Sequence, residues 1–533
     1  MLNWVEWTAP EAAWLEDAEG AHRMARTPEG FAWGEAALGL RAHGQKLDCA
    51  LTAGTAPVRR VFLRWRAALP EACTVLGDHW ERGYGDMAWC GIVPERVLPW
   101  YLLIHAQGRT AGIGVQTGGG ALCWWRLTQQ ALTLCLDVRN GDGGVCLNGR
   151  TLAAATVVTT ADVPGQSAYQ AARALCAALC EHPIMPAQPV YGGNNWYYAY
   201  GESTQEKLLR DAAFISSLST HENRPYMTMD DGWQICRNSN FTGGPWHAGN
   251  RKFPDMPGMA AQMKREGTRP GIWVRPLLNC INHPAAWRLP PARMQARELG
   301  GEYAWLWDPT VPEVMATVRE DIARLADWGY ELIKHDYTTY DIFGRWGMAM
   351  GEEITAGDWQ FNDRSVTSME VVRALYRTIA EAAGEATVLG CNTIGHAAAG
   401  LFAINRTGDD TSGFEWSRTR KMGVNTMAFR GPQHGTFFAA DADCVGITRH
   451  IPWAQNAEWL SLVAHSGTPL FVSIDPEEAG QAETHALREA FALAAQPCDD
   501  FEPLDFLHTA CPSRWRLRGQ ERRFAWDADT PGL

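Results

Sequence analysis

Tyr330-Glu-Leu-Ile-Lys-His-Asp336 decides how this chain is read. Its apolar core (Tyr330, Leu332, Ile333) ends abruptly in three ionisable groups, Lys334, His335 and Asp336. A strand inside a closed parallel barrel is apolar in its middle, because helices cover it outside and layered side chains fill it inside. Polar groups are tolerated at its carboxyl end, where the barrel opens. At period two, Lys334 and Asp336 share one face and His335 takes the opposite one, as a satisfied structural histidine. The lysine charge is expected to hold Asp336 ionised, the form a nucleophile needs. The competing reading is a surface ion pair after an ordinary α/β strand.

The units around this stretch favour the barrel. Strand, loop and helix alternate from Val190: strands at Val190–Trp196, Arg224–Asp231, Pro270–Pro276, Tyr330–Asp336, Ala386–Cys391 and Phe402–Arg406, with helices near 204–217, 312–328 and 366–383. Strands seven and eight are placed near Met427–Arg430 and Pro469–Ile474. About 300 residues of such alternation predict a (β/α)8 TIM barrel within an α/β fold, over 187–498, with its site at the strands' carboxyl ends. Residues 1–186 instead carry short alternating runs such as Val61–Arg66 and Leu132–Val138 between Gly/Asn/Asp turns, which predicts a large N-terminal β-sandwich. A helix over Ala168–Cys180 and a linker marked by Pro183, Pro186 and Pro189 follow it. Residues 499–533 make a short C-terminal β segment.

Composition narrows the function. The chain has 533 residues, 46% hydrophobic and 20% charged, ordinary for a globular protein with a large core. A net charge of −13 argues against nucleic acid or an anionic membrane as partner. No apolar run reaches a membrane span, and Met1-Leu-Asn-Trp-Val-Glu-Trp7 lacks a basic-then-apolar signal opening, so the expected location is cytoplasmic. Fourteen cysteines without CxxC or zinc spacing read as buried thiols of a reducing compartment. The 25 tryptophans offer flat faces that suit sugar rings, although most tryptophans are core.

Five successive predicted strands end in polar residues or a cysteine: Asn194/Asn195, Asp230/Asp231, Arg275, Lys334/Asp336 and Cys391/Asn392. The next carries Arg406-Thr-Gly-Asp-Asp410, and Trp196, Trp233 and Trp273 ring the mouth. No Ser-His-Asp order, phosphate loop or His-x-His metal pair is present. Carboxylates from different strands, with cations and tryptophans, fit glycoside hydrolysis, in which one attacks the anomeric carbon and another protonates the departing oxygen. Asp336 is the expected nucleophile, and the Asp409-Asp410 pair holds the acid. Arg406 is placed to orient a carboxylate or bind a hydroxyl, Cys391 to line the pocket, and His396 beyond strand five stays open as a contact or a structural residue. No cofactor or metal is called for. The expected partner is a small oligosaccharide or glycoside, and a homo-oligomer is compatible with these features.

Seven motifs, in order over about residues 190–475, resemble the retaining α-galactosidase and α-N-acetylgalactosaminidase clan of glycoside hydrolase families 27 and 36, family 36 most nearly. They are Asp230-Asp-Gly-Trp233, Gly271-Ile-Trp-Val274, Trp307-Asp-Pro-Thr-Val-Pro-Glu-Val314, Lys334-His-Asp336, Leu389-Gly-Cys391, Arg406-Thr-Gly-Asp-Asp410 and Asp441-Ala-Asp-Cys444. The resemblance implies an exo-acting, retaining enzyme working through a covalent glycosyl-enzyme. It also implies Asp410 rather than Asp409 as the acid/base, and Asp230 and Asp231 as ligands of the C4 and C6 hydroxyls. Asp336 is then expected to raise the pKa of Asp410.

Three departures stand out: Gly192-Gly-Asn-Asn-Trp196 replaces the usual Gly-Trp-x-Ser-Trp, strand three runs into Arg275-Pro276, and Arg523-Phe-Ala-Trp526 falls where relatives continue into a C-terminal β-domain. A pared-down end is expected from the last. Arg275 would pair with Asp230 or Asp231, or bind an anionic group on the sugar. An acidic or amino-substituted α-glycoside, transglycosylation, a metal-dependent barrel hydrolase and a non-catalytic sugar binder are the alternatives.

Overall fold

The computed structural model describes residues 9–238, 241–294 and 305–526; the opening Met1–Trp7 and the end of the C-terminal segment lie outside these. Two antiparallel sheets, six- and eight-stranded among the described residues, come first. In Arg60–Arg66 the apolar Val61, Leu63 and Trp65 are buried, while Arg64 and Arg66 face out. This period-two alternation is what a sheet with one covered face requires. The helix Ala168–Leu179 starts at a capping box, in which Ser167 and Gln170 satisfy each other's backbone N–H groups.

The barrel strands follow in parallel order. Strands one to six are Tyr191–Asn194, Tyr226–Met229, Arg269–Val274, Leu332–His335, Thr387–Gly390 and Ile404–Arg406. Strand seven is split: Ala439–Asp441 pairs with strand six, and Cys444–Ile447 pairs with strand eight, Leu470–Ile474. Strand eight pairs with strand one and closes the ring. Asp443, at φ 73°, makes the kink between the halves of strand seven. The predicted seventh strand is therefore corrected. Met427–Arg430 lies in the helix Thr426–Arg430, because a four-residue apolar run carries no period that separates strand from helix.

Alternation along strand four has the expected consequence. Leu332 joins Tyr226, Leu389, Ile404 and Phe471 in a cluster of barrel-strand side chains, whereas Ile333 belongs to the main core. His335 packs edge-on against Tyr376 and Phe402. Burial pushes its pKa down to about 3, so it is neutral, and neither ring nitrogen has a hydrogen-bond partner among the described residues. It is structural, but not satisfied as expected.

Helices end where local chemistry dictates. Pro312 opens Pro312–Asp327, and Thr367 with Glu370 forms the capping box of Ser368–Ala383. At Gly192, φ 150°, a Cβ would sit 1.9 Å from the Tyr226 carbonyl oxygen, so strands one and two close up only with glycine there. Three short antiparallel strands, Phe501–Pro503, Arg514–Leu517 and Gln520–Arg523, finish the described chain.

The cysteine reading needs one correction. Cys236 and Cys280, in the loops after strands two and three, form a disulfide, and the other twelve are free. A separation of 44 residues carries no local signature of pairing. No helix among the described residues is long and apolar enough to cross a membrane.

Candidate active site

Strand four delivers Lys334 and Asp336 to the mouth, but their partners differ. Lys334 Nζ donates to Asp230 Oδ2 at 2.6 Å, and Asn194 donates to the same oxygen at 2.8 Å. The expected role of Lys334 as the main support of Asp336 is thus corrected: its ion pair is spent across the barrel on strand two. Asp336 is held by three other donors. The Trp273 indole N–H reaches Oδ2 at 3.1 Å, and the backbone N–H groups of Tyr337 and Asn392 reach Oδ1 at 2.7 and 3.2 Å. Tyr337 takes φ 66° to aim its N–H back at the carboxylate, a conformation uncommon for a bulky residue and typical of functional sites.

Asp231 accepts from Gln234 at 2.6 Å, and its backbone N–H donates to Asp230 Oδ1 at 2.9 Å. Asn195 accepts from the Asp230 backbone N–H at 2.9 Å, so it shapes the strand end. Trp196 sits half-buried beside Tyr200.

Asp410 lies four residues past the end of strand six. Its side chain keeps 41% of its surface exposed, and its Oδ1 accepts from Arg406 at 3.2 Å. Arg406 also pairs with Asp443 at 3.0 Å and donates to the Cys391 sulfur at 3.5 Å. Asp443 further accepts from the Tyr197 hydroxyl and from Thr411. Burial pushes the Asp410 pKa up, but Arg406, Arg82, Lys334 and Arg418 outweigh it and hold the carboxyl below its ordinary value. This reverses the expected rise, because the cations gathered here count for more than the neighbouring carboxylate. Burial pushes the Cys391 thiol far up, which leaves it a neutral lining group.

Two predicted site residues, Trp233 and Arg275, and the open His396 are engaged in packing or in ion pairing. Trp233 is 0% exposed, packs against Trp246 and Trp328, and donates its indole N–H to the Trp273 carbonyl, so its ring is unavailable to a sugar. His396 is buried and stacks on Trp100 of the sandwich at 4.6 Å. Arg275 is fully buried, forks onto Asp341 (Nη2 to Oδ1 2.7 Å, Nε to Oδ2 3.0 Å) and lies 4.1 Å over the Tyr337 ring. The countercharge role expected of it is present, with Asp341 as a partner that the strand-end reading did not consider. Arg275→Ala strands a buried carboxylate, and a loss of about 3–5 kcal/mol in denaturant unfolding is expected.

Residues missed by sequence reasoning include Tyr197, Asp443 and, from the sandwich, Glu81 and Arg82. Asp443 sits inside the quoted Asp441-Ala-Asp-Cys444 and was within reach. Arg82 pairs with Asp409 at 2.9 Å and lies 3.8 Å from Asp410, more than 300 residues along the chain. A cleft of about 910 Å³ opens at the opposite end of the barrel, beside Tyr226, Arg269 and Thr387, which start their strands. None of Asp230, Asp231, Asp336, Asp409 and Asp410 lines it.

The fold and mouth define a class: a (β/α)8 barrel behind an N-terminal β-sandwich, with carboxylates at the carboxyl ends of strands two and four and just beyond strand six. Solved structures similar to this chain include α-galactosidases. That of Thermus thermophilus, bound to p-nitrophenyl α-D-galactopyranoside, matches with TM-score 0.62 at 18% identity over 97% of this chain and 99% of that one. A family 36 enzyme from Geobacillus stearothermophilus matches with TM-score 0.57 at 14% identity, covering 86% and 67%. The α-galactosidase from Lactobacillus brevis matches with TM-score 0.58 at 13% identity, covering 91% and 72%. No protein-family model and no curated protein matches the sequence. The clan resemblance of the motifs is thus met at the level of the fold.

Proposed function

We propose that this chain is an exo-acting retaining α-glycoside hydrolase of α-galactosidase type, with Asp336 as nucleophile and Asp410 as acid/base. The observation that carries it is the contrast between the two carboxylates. Asp336 is clamped by an indole and two backbone N–H groups, which hold both its oxygens and fix its direction. Asp410 is open along two-fifths of its side chain, free to meet a leaving-group oxygen. In the first step Asp336 bonds to the anomeric carbon as the glycosidic bond breaks and Asp410 gives its proton to the departing oxygen. In the second, Asp410 takes a proton from water, the water oxygen bonds to the anomeric carbon, and the Asp336 ester is released.

The Asp230–Lys334 pair offers a charged acceptor and a donor at one place, which suits an axial C4 hydroxyl with its neighbour. An epimer leaves such groups unsatisfied, at a cost of about 1–3 kcal/mol. The pairing of Arg275 with Asp341 weighs against an anionic glycone, since that fork is already engaged. The Thermus relative was solved with stachyose, an oligosaccharide, which supports the same substrate class.

A panel of aryl α- and β-glycosides, with acidic and amino sugars included, tests this: α-galactoside should be cleaved with retained anomeric configuration, and cleavage of an acidic α-glycoside alone overturns the choice of glycone. A pH consequence follows from the arginines. They hold Asp410 low in the free site, while bound sugar covers its exposed face and pushes it up. The alkaline limb of kcat/KM, which reports the free enzyme, should therefore lie on the acid side of the limb of kcat.

A further inference from the structure

The loop that leaves the sandwich after Thr74–Gly77 enters the barrel mouth and docks there. Gly83 N–H donates to the Thr407 carbonyl at 2.7 Å, and Asp409 N–H donates to the Gly83 carbonyl at 2.9 Å, a strand-like bridge to the segment that carries Asp410. Arg430 holds the same loop through the Asp78 carboxylate and the His79 and Glu81 carbonyls. A Cβ on Gly83 would lie 2.8 Å from Thr426 Cγ2, so the approach needs glycine. At its tip stand two adjacent opposite charges, Glu81 at 0% and Arg82 at 5% exposure. Burying two charges at a domain contact is costly, and an apolar pair would seal it more cheaply. Their contacts explain why charges stand there.

Glu81 Oε2 accepts from Gly347 N–H at 2.7 Å and the Tyr84 hydroxyl at 3.0 Å, and Oε1 accepts from the Asn392 side-chain amide. The Asn392 amide oxygen takes the Tyr340 N–H at 3.2 Å, which locks the residue whose backbone N–H meets Asp336. Arg82 lies 5.3 Å over the Trp346 ring, pairs with Glu81 and Asp409, and extends Nη1 to within 3.8 Å of Asp410 Oδ1. Arg406 approaches the same oxygen, which leaves Oδ2 to carry the proton.

We propose that the sandwich domain supplies two positioning residues to the barrel's site, Glu81 acting through Asn392 on Asp336, and Arg82 setting the orientation and charge environment of Asp410. The proposal rests on the roles given to Asp336 and Asp410 above. Asp410 is also faced by Arg406 from strand six, Lys334 from strand four and Tyr337 beyond it, Cys391 just past strand five, Tyr197 and Tyr200 from the short helix Trp196–Ala199 and its C-cap, and Arg418 from the helix Trp416–Thr419. Asp409 is its neighbour, and Asp443 shares Arg406 with it.

The test uses the full chain and an α-galactoside with a poor leaving group. Arg82→Gln removes a cation and should move the alkaline limb of kcat/KM upward by about 1 pH unit, while Arg82→Lys keeps it near wild type. Asp409→Asn releases Arg82 from its closer partner and removes an anion beside Asp410, so the limb should move down. A limb that stays put in both Arg82→Gln and Asp409→Asn overturns the Arg82 role; should Arg82→Gln not fold, the Asp409→Asn and Arg82→Lys profiles decide. Glu81→Ala should lower kcat on an activated aryl galactoside roughly 10- to 100-fold with little change in KM, and Glu81→Gln, which keeps an oxygen for Asn392, should recover most of it. Equal losses in the two variants overturn the Glu81 role. Wild-type inactivity on every aryl α-glycoside refutes the functional reading instead. The Arg82 role is then read from the Asp410 carboxyl titration by carbon NMR, which should still rise in Arg82→Gln.

Discussion

Asp336→Ala is expected to lower turnover of aryl α-galactosides on the order of 10⁴-fold or more, with the protein still folded. Without the carboxylate there is no group to bond to the anomeric carbon, and the remaining site only binds. The fold should survive because strand four is held by Leu332 and Ile333 inside its parallel ladder, one residue short of the change. What is lost locally is an acceptor for the Trp273 indole and two backbone N–H groups, worth about 1–3 kcal/mol if water does not replace it. Steady-state rates beside a thermal unfolding curve check both halves. Activity within tenfold of wild type in a folded Asp336→Ala protein would remove Asp336 from the mechanism.

The second large effect is Asp410→Ala, and its signature is dependence on the leaving group. With a poor leaving group the loss should be about 10²–10⁴-fold, since proton donation contributes that much. With a dinitrophenyl group, which departs without a proton, the first step should be nearly unchanged and release of the glycosyl-enzyme should become slow. Azide should then accelerate turnover of the activated substrate and appear in the product as an α-galactosyl azide, while poor leaving groups stay unrescued. Asp409→Ala should show none of this dependence, because Asp409 is committed to Arg82 and Arg418. A leaving-group effect that follows Asp409 instead would exchange the two roles.

Much of the barrel was legible because its signals are local. Leu332 and Lys334 point one way and His335 the other, since side chains alternate along any strand. Thr204 and Thr367 each begin a helix by accepting from backbone N–H groups three residues on. Strand seven was not legible in the same way. Its halves, Ala439–Asp441 and Cys444–Ile447, are short and broken by Asp443, whereas the helical Met427–Arg430 has the apolar look of a strand. Trp233 shows the same limit at the level of one residue. A tryptophan after a strand end reads equally as a sugar platform or as packing, and only the positions of Trp246 and Trp328 decide for packing.

What the sequence determined by itself is the set of residues at the strand ends, because position along a strand fixes face and depth. The carboxylates of Asp230, Asp336 and Asp410 follow from that rule and from the motif order. Only the tertiary structure decided how these charges are shared: Lys334 with Asp230 rather than Asp336, Arg275 with Asp341, and Arg82 with the pair at Asp409 and Asp410. The physical reason is distance along the chain. Ion pairs and the Cys236–Cys280 bridge are chosen by which groups the fold brings within a few ångströms, and residues such as Glu81 and Asn392 lie 311 positions apart before folding makes them neighbours.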